Sequence, residues 1–391
     1  MVTGAAPLTG VRVVDLTRFV SGSYAGMLLA ALGADVVKVE ALPHGDPYRS
    51  QGTAFVAGES ALFQALNTGK RSIALDLKSA AGREVLDRLL AISDVMLENG
   101  RPGSLAGLGL DAATVTARHP HLVYGSVSGY GQTGPDAAKG GFDLILQAEG
   151  GLMSVTGSGV DEHVKVGVPI LDIGSAISCL LGVVSALYRR QRTGTGGVVS
   201  SSLLEFAVAS FTSVAPAYLV DGQIPVPMGS HSPTFAPYGA FAARDGHLVV
   251  AGAGSESLWQ RFCAVLDAEE LVADPRFATN AQRVANLAEL TVEIEQRLAT
   301  ESVDTWLARL EVAGVPAGRV RDLGQVLSSA QVNALGLVRT VTGADGAYRV
   351  LGPPVRVDDG LAYPRPAPKL GEHTEEILAE LAAAEGDPDG S

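Results

Sequence analysis

The feature that most constrains this chain is the alternation of strand-like apolar runs with helical runs through its first third. Val11-Arg12-Val13-Val14-Asp15-Leu16 reads as a buried strand. Residues 24–32 form a helical run closed by Gly33, where glycine ends a helix by taking a left-handed conformation. Asp35-Val36-Val37-Lys38-Val39-Glu40 is the next strand. Strands joined through one helix run parallel, with a right-handed crossover. Further strands are expected at 72–77, 94–98 and 121–127, and an amphipathic helix at 80–91. The expected fold class is therefore α/β, a doubly wound, Rossmann-like large domain with ligands at the C-terminal ends of its strands.

A length of 391 residues exceeds the usual single core, so two domains or an insertion are expected. Residues 201–219 read as one long helix, after which Pro225, Pro227, Gly229, Pro233 and Pro237 punctuate a loop. From Tyr238 onward, a hairpin around Ala243-Arg244-Asp245-Gly246 and helices near 256–266 and 287–299 suggest a smaller α+β domain. The expected boundaries are 1–200, a linker helix and loop at 201–237, a small domain at 238–325, and a returning segment at 326–391.

A net charge of −13 argues against nucleic acid as a partner, because a phosphate backbone needs clustered Lys and Arg. Cys179 and Cys263, the only two cysteines, fit no disulfide framework and no zinc spacing, so no metal is expected. Met1 to Gly10 lacks the basic and apolar regions of a secretory signal. The longest apolar run, 176–188, looks too short to span a bilayer. A cytoplasmic protein without a membrane partner is the expectation.

Several motifs fail on context. Gly129-Tyr130-Gly131-Gln132-Thr133-Gly134 matches a dinucleotide fingerprint, but Pro135-Asp136 and Lys139-Gly140-Gly141 stand where the helix should begin. Gly125-Ser126-Val127-Ser128-Gly129 has valine where a nucleophile elbow needs serine. A different stretch draws attention: Val166-Gly167-Val168-Pro169-Ile170-Leu171 runs up to one carboxylate, Asp172, followed by Gly174-Ser175 and an apolar helical run. A carboxylate on the rim of a strand-to-helix turn is poorly solvated yet reachable; it could equally be the cap of the helix that follows.

Seven short motifs then occur in order: Gly33-Ala34-Asp35-Val36-Val37-Lys38-Val39-Glu40, Asn67-Thr68-Gly69-Lys70-Arg71-Ser72, Leu75-Asp76-Leu77-Lys78, Glu98-Asn99-Gly100-Arg101-Pro102-Gly103, Ser128 to Pro135, Arg192-Thr193-Gly194-Thr195-Gly196 and Leu370-Gly371-Glu372-His373-Thr374. Together they resemble the family III CoA-transferases, which include formyl-CoA and carnitine CoA-transferases and the related α-methylacyl-CoA racemases. The resemblance runs from Leu8 to about Leu381. It implies a large domain built from both chain ends, a small domain inserted between, and an interlocked homodimer whose chains pass through one another. Asp172 falls at the family's catalytic aspartate. The CoA site carries over to Arg18, Val20 and Ser21; to Leu75 as a wall for adenine and Lys78 as a cation near phosphate; to Asn99, Gly100 and Arg101; and to Lys139, Gly140, Gly141, Phe142 and Asp143 near the thioester. Gly100 stands where the family has an aromatic residue, and Ala41 and Gly107 stand where some members have arginines. The glycine-rich lid of formyl-CoA transferases is reduced here to Met228-Gly229-Ser230-His231-Ser232.

The implied activity moves CoA from an acyl-CoA thioester to a carboxylic acid acceptor, through anhydride and aspartyl-CoA thioester intermediates on Asp172. CoA is then substrate, with no tightly bound cofactor, and the oxyanions need N–H donors such as those of Gly140, Gly141 or the Gly229 loop. An ordinary carboxylate pKa of about 3.9 would leave Asp172 ionised at neutral pH. Racemases of this family carry histidine in a G-H-D context, whereas this chain has Gly141-Phe142-Asp143, and phenylalanine cannot shuttle a proton. A racemase or epimerase, or a non-catalytic acyl-CoA-binding protein, are the competing readings.

Overall fold

The computed structural model describes residues 6–56, 58–251, 255–343, 346–357 and 365–386. The chain divides into two compact units: Met1–Leu152, Lys165–Pro216 and Gln331–Ser391 form one, and Met153–Val164 with Ala217–Ala330 the other.

The first unit is built on a parallel six-stranded sheet. Its elements are β1 (Arg12–Asp15), α1 (Ser21–Ala31), β2 (Asp35–Glu40), β3 (Arg71–Ala74), α2 (Ala80–Ala91), β4 (Val95–Glu98), α3 (Ala112–Arg118), β5 (Val123–Ser128), α4 (Asp143–Glu149), α5 (Ile170–Thr193), β6 (Gly197–Ser202) and α6 (Leu203–Ala209). The strand order is β3-β2-β1-β4-β5-β6, every neighbour parallel. This is the doubly wound order expected from the alternation. Successive strand residues feed opposite layers: Val13, Val36 and Val95 pack with Leu29, Cys179 and Val183, while Val14, Val37 and Met96 pack with Leu86, Leu89 and Leu122. A sheet buried on both faces has to be apolar along both, which is why these strands read as continuous runs. The order reverses between β1 and β4, so the loops leaving their C-terminal ends diverge and open a crevice.

Three expectations change. The long helix at 201–219 does not form: Ser201 and Ser202 end β6, α6 stops at Ala209, a 3₁₀ turn covers Ser210–Ser213, and a new helix starts at Ala215. Pro216 lacks the N–H a continuous helix needs at that point, and the Ser202 hydroxyl caps α6 by accepting from Glu205 N. No strand precedes Asp172; Val166 to Pro169 is irregular, and α5 begins at Ile170. Nor is the apolar run short, since α5 has 24 residues and is long and apolar enough to cross a membrane by length and composition. Its inner face is core: Ala176, Cys179 and Val183 are fully buried against the sheet.

The chain's last described segments return to this unit. Strands Val338–Gly343 and Gly346–Leu351 pair antiparallel, and helix Thr374–Gly386 docks on β3, where Arg71 bridges Glu376 and Glu380. The second unit has an antiparallel sheet of β7 (Tyr238–Ala243), β8 (Gly246–Ala251) and β9 (Ala317–Arg319) in the order β9-β8-β7, with the hairpin at Arg244-Asp245. Helices Glu256–Val265, Leu287–Leu298 and Val303–Val312 cover it around Phe241, Trp259, Phe262 and Trp306.

Candidate active site

At the switch point between β1 and β4 lies a cavity of about 490 Å³, lined by Arg18, Val20, Ser21, Asn99, Gly100, Arg101, Lys139, Gly140, Gly141, Phe142 and Asp172 among others. Buried charge shapes the loop after β1. Asp15 accepts from Thr17 N (2.8 Å) and from the Thr17 hydroxyl, while Lys38 Nζ donates to Thr17 O (2.7 Å). Lys70 Nζ pairs with Asp15 (2.7 Å) and also donates to Ser23 O. Burial lowers the Lys70 pKa to about 8, against the opposing pull of Asp15. With Thr17 held from both sides, the chain turns through Phe19 at φ 61°, a left-handed conformation rare for an aromatic residue.

Asn99 joins the two diverging loops. Its Oδ1 accepts from Arg18 N (2.9 Å), and its Nδ2 donates to Arg18 O (2.6 Å). Glu98, buried at the end of β4, accepts from Gly100 N (2.7 Å) and from the Ser126 hydroxyl on β5. The next loop closes back on itself where Gly129 and Gly141 touch backbone to backbone; a Cβ on Gly141 would stand 2.7 Å from Gly129 Cα. This loop, with Gly131 at φ 99° and Gly134 at φ 98°, has no dinucleotide-fold helix start. The Arg101 guanidinium lies over Gly140, where a Cβ would come within 2.5 Å of its Nη2. Among the described residues, the N–H groups of Gly140 and Gly141 and the guanidinium groups of Arg18 and Arg101 have no hydrogen-bond partner.

Asp172 sits in the first turn of α5, partly buried at the cavity wall. It is not the helix cap. Pro169 occupies the cap position without a side-chain bond, and Asp143 Oδ2 accepts from Leu171 N (2.8 Å) and Asp172 N (3.2 Å). The Asp172 carboxyl accepts no hydrogen bond among the described residues. Burial, and then the charge of Asp143, push its pKa up to about 7. The ordinary carboxylate pKa expected from sequence is thus overturned, because burial and then the neighbouring Asp143 charge both disfavour the anion.

Not every predicted site residue converges here. Leu75 is buried in the core beneath the sheet, and Lys78 is exposed at the turn into α2; neither lines this cavity. Leu77 instead lines an adjoining cavity of about 200 Å³, together with Ala41, Asp46 and, from the first cavity, Arg18, Asn99 and Gly100. Asp143 faces the α5 backbone and is not in the cavity lining. Gly107 lies away from both cavities. Sequence reading missed Phe19, Tyr48 and Gln51, which also line the first. The Phe19 ring meets Tyr48 edge-on at 5.3 Å and Phe142 at 6.3 Å, so three aromatic rings form one wall. A signal for Tyr48 existed: Asp46-Pro47 opens a turn just beyond β2, at the same sheet end, and Asp46 caps it by accepting from Tyr48 N.

Known proteins match this chain along nearly its whole length. The sequence profile of CoA-transferase family III matches residues 8–374. This chain belongs to CoA-transferase family III. It is 38% identical over 377 residues to the succinyl-CoA:glutarate CoA-transferase of Mus musculus, covering 96% of this chain and 86% of that one. It is 37% identical over 392 residues to the succinate–glutarate CoA-transferase of Agrobacterium fabrum, covering 97% and 96%. A crystal structure of a CaiB/BaiF family protein from Brucella suis superposes on this CoA-transferase with a TM-score of 0.87 at 38% identity, covering 97% of this chain and 100% of the other.

Proposed function

We propose that this family III CoA-transferase moves CoA between dicarboxylic acids, from a succinyl-CoA-type donor to a glutarate-type acceptor, with Asp172 as nucleophile. The observation that carries the nucleophile assignment is Asp172 lining the cavity with its carboxyl unbonded among the described residues, in a cavity also lined by Gly140 and Gly141, whose N–H groups are likewise unbonded among them. The dicarboxylate reading rests on the named relatives, whose substrates are succinyl-CoA or succinate and glutarate.

A transferase has to keep the thioester's energy while exchanging acids, which covalent catalysis accomplishes. An Asp172 oxygen attacks the thioester carbonyl, the C–S bond breaks, and CoA thiolate leaves an acyl–aspartyl anhydride. The thiolate then attacks the aspartyl carbon, releasing the donor carboxylate and leaving an aspartyl–CoA thioester. The acceptor carboxylate displaces thiolate from that thioester to form a second anhydride. Thiolate finally attacks the acceptor acyl carbon, giving the new acyl-CoA and the free Asp172 carboxylate. The Gly140 and Gly141 N–H groups are the donors available for the oxyanions. CoA enters and leaves as substrate, with Arg18, Arg101 and Lys139 carrying positive charge toward its phosphates.

The test is chemical capture. Protein incubated with succinyl-CoA and quenched with hydroxylamine should carry a hydroxamate at Asp172, read by peptide mass spectrometry, and Asp172→Asn should carry none. Labelling elsewhere, or full turnover by Asp172→Asn, sinks the assignment; α-proton exchange without CoA transfer would favour the racemase reading. We propose further a homodimer in the cytoplasm, with the exposed stripe Ile177, Leu181, Val184 and Tyr188 along α5 covered by the second chain. Light scattering reads the mass, and slow exchange between tagged copies reads the interlocking.

A further inference from the structure

Asp143 was placed by sequence among the residues near the thioester. Its contacts point elsewhere: we infer that Asp143 is a positioning residue that grips the first turn of α5 and aims Asp172 into the cavity. This rests on the reading of Asp172 as the nucleophile.

The α5 turn has no cap of its own, because Pro169 contributes no side-chain bond. Asp143 Oδ2 supplies it by accepting from Leu171 N at 2.8 Å and Asp172 N at 3.2 Å. Its other oxygen accepts from Gln147 Nε2. Gln147, fully buried and one turn further along α4, uses its own Oε1 to accept from Val166 N at 2.8 Å. Residues four apart share a helix face, so Asp143 and Gln147 hold the segment from Val166 to Asp172 at both ends. The grip has a rigid base, because Leu146 between them is buried in the core and Gly141 just before α4 rests on Gly129. With its carboxylate turned onto the α5 backbone and its bonds made inward, Asp143 is not a ligand contact.

The grip also sets charge. On top of the burial of Asp172, a carboxylate bonded at the start of α5 repels the Asp172 anion. The other groups facing the same space are Tyr48 and, across the cavity, Arg18, Arg101 and Lys139. Removing the Asp143 charge alone should therefore ease ionisation of Asp172, whereas removing the whole side chain should let the turn move.

The experiment is single-turnover acylation of Asp172 by succinyl-CoA, followed by rapid quench and peptide mass spectrometry from about pH 5 to about pH 9. Asp143→Ala should acylate at least about tenfold more slowly at its plateau, with half-saturation by succinyl-CoA within about twofold of the parent. Asp143→Asn keeps an oxygen for the two helix N–H groups but turns its NH2 toward Gln147 Nε2, so the α5 end of the grip holds while the bond from Gln147 is lost. It should recover most of the plateau, and its acid limb should move down by about one pH unit. Since Asp143→Ala could fail to fold, Asp143→Asn decides by itself. A parental limb and plateau in Asp143→Asn overturn the inference. So does a lowered melting temperature with an unmoved limb, which would leave Asp143 a purely structural role, or a rise in half-saturation alone, which would make it a ligand contact. A parent protein that never labels at Asp172 fails the nucleophile reading instead, and the two failures are told apart by the parent's own label.

Discussion

Asp172 shows how a single buried carboxyl can cost stability. Its folded pKa is raised to about 7, whereas an unfolded aspartate titrates near the ordinary value, so the native state holds an extra proton between the two. The Asp172 contribution to stability must then fall as pH rises from about 4 to about 7 and stay level above that. Asp172→Asn removes this cost. We expect the variant to be more stable than the parent by about 1–3 kcal/mol above pH 7, discounted for partial exposure, with the difference vanishing near pH 4. Urea denaturation across that range checks it. The parent's kcat/KM should rise with pH through about 7, as the free nucleophile ionises. Arg101 is a second residue-scale case. Its guanidinium lies over Gly140 with no carboxylate partner among the described residues, so Arg101→Ala should weaken acyl-CoA binding by about 1–3 kcal/mol in calorimetry, with little change in melting temperature. The role of Arg101 was legible through the family resemblance, whereas the raised pKa of Asp172 was not, since from sequence Asp172 looked like an ordinary acid and Asp143 like a ligand contact.

At the scale of elements, α5 carries Asp172, the nucleophile we propose, and its placement depends on close packing. Gly174 faces α6, and a Cβ there would stand 2.0 Å from the Phe206 ring, far inside contact distance. Gly174→Ala gains helix propensity of at most about 1 kcal/mol, but overpacking costs about 1–3 kcal/mol. The balance should lower the melting temperature and reduce kcat together, and Phe206→Leu in the same chain should restore part of both. The strands of the large sheet were legible because apolar periodicity is local. Five of them lie within two or three residues of where the pattern put them, whereas β6 was hidden. Its sequence, Gly197-Val198-Val199-Ser200-Ser201-Ser202, is half serine and runs straight into a helical pattern. It becomes a strand because β5 offers it a parallel edge to pair with, residue for residue from Val123↔Gly197 to Ser128↔Ser202.

For the whole molecule, the first unit depends on the end of the chain coming back. Arg71 on β3 is nearly buried and pairs with Asp35 of the neighbouring strand and with Glu376 and Glu380 of the last helix. Its partners are a third to a half exposed, so Arg71→Met should cost about 1–3 kcal/mol rather than the full penalty of a buried pair. It should also let a protease remove helix Thr374–Gly386 faster than in the parent, which limited proteolysis followed by mass spectrometry would show. The sequence by itself determined the alternating α/β pattern, the parallel crossovers and, through them, a crevice at the strand ends. Those follow from periodicities of a few residues and from the connectivity of the chain. What only the tertiary structure decided is which groups meet in that crevice: Asp143 on the backbone of a turn 28 residues away, Asn99 clasping Arg18 across 81, and Tyr48 beside Asp172. The pKa and direction of Asp172 belong to this second class, because burial and neighbouring charge act through space, and a linear pattern carries no record of which distant groups will be neighbours.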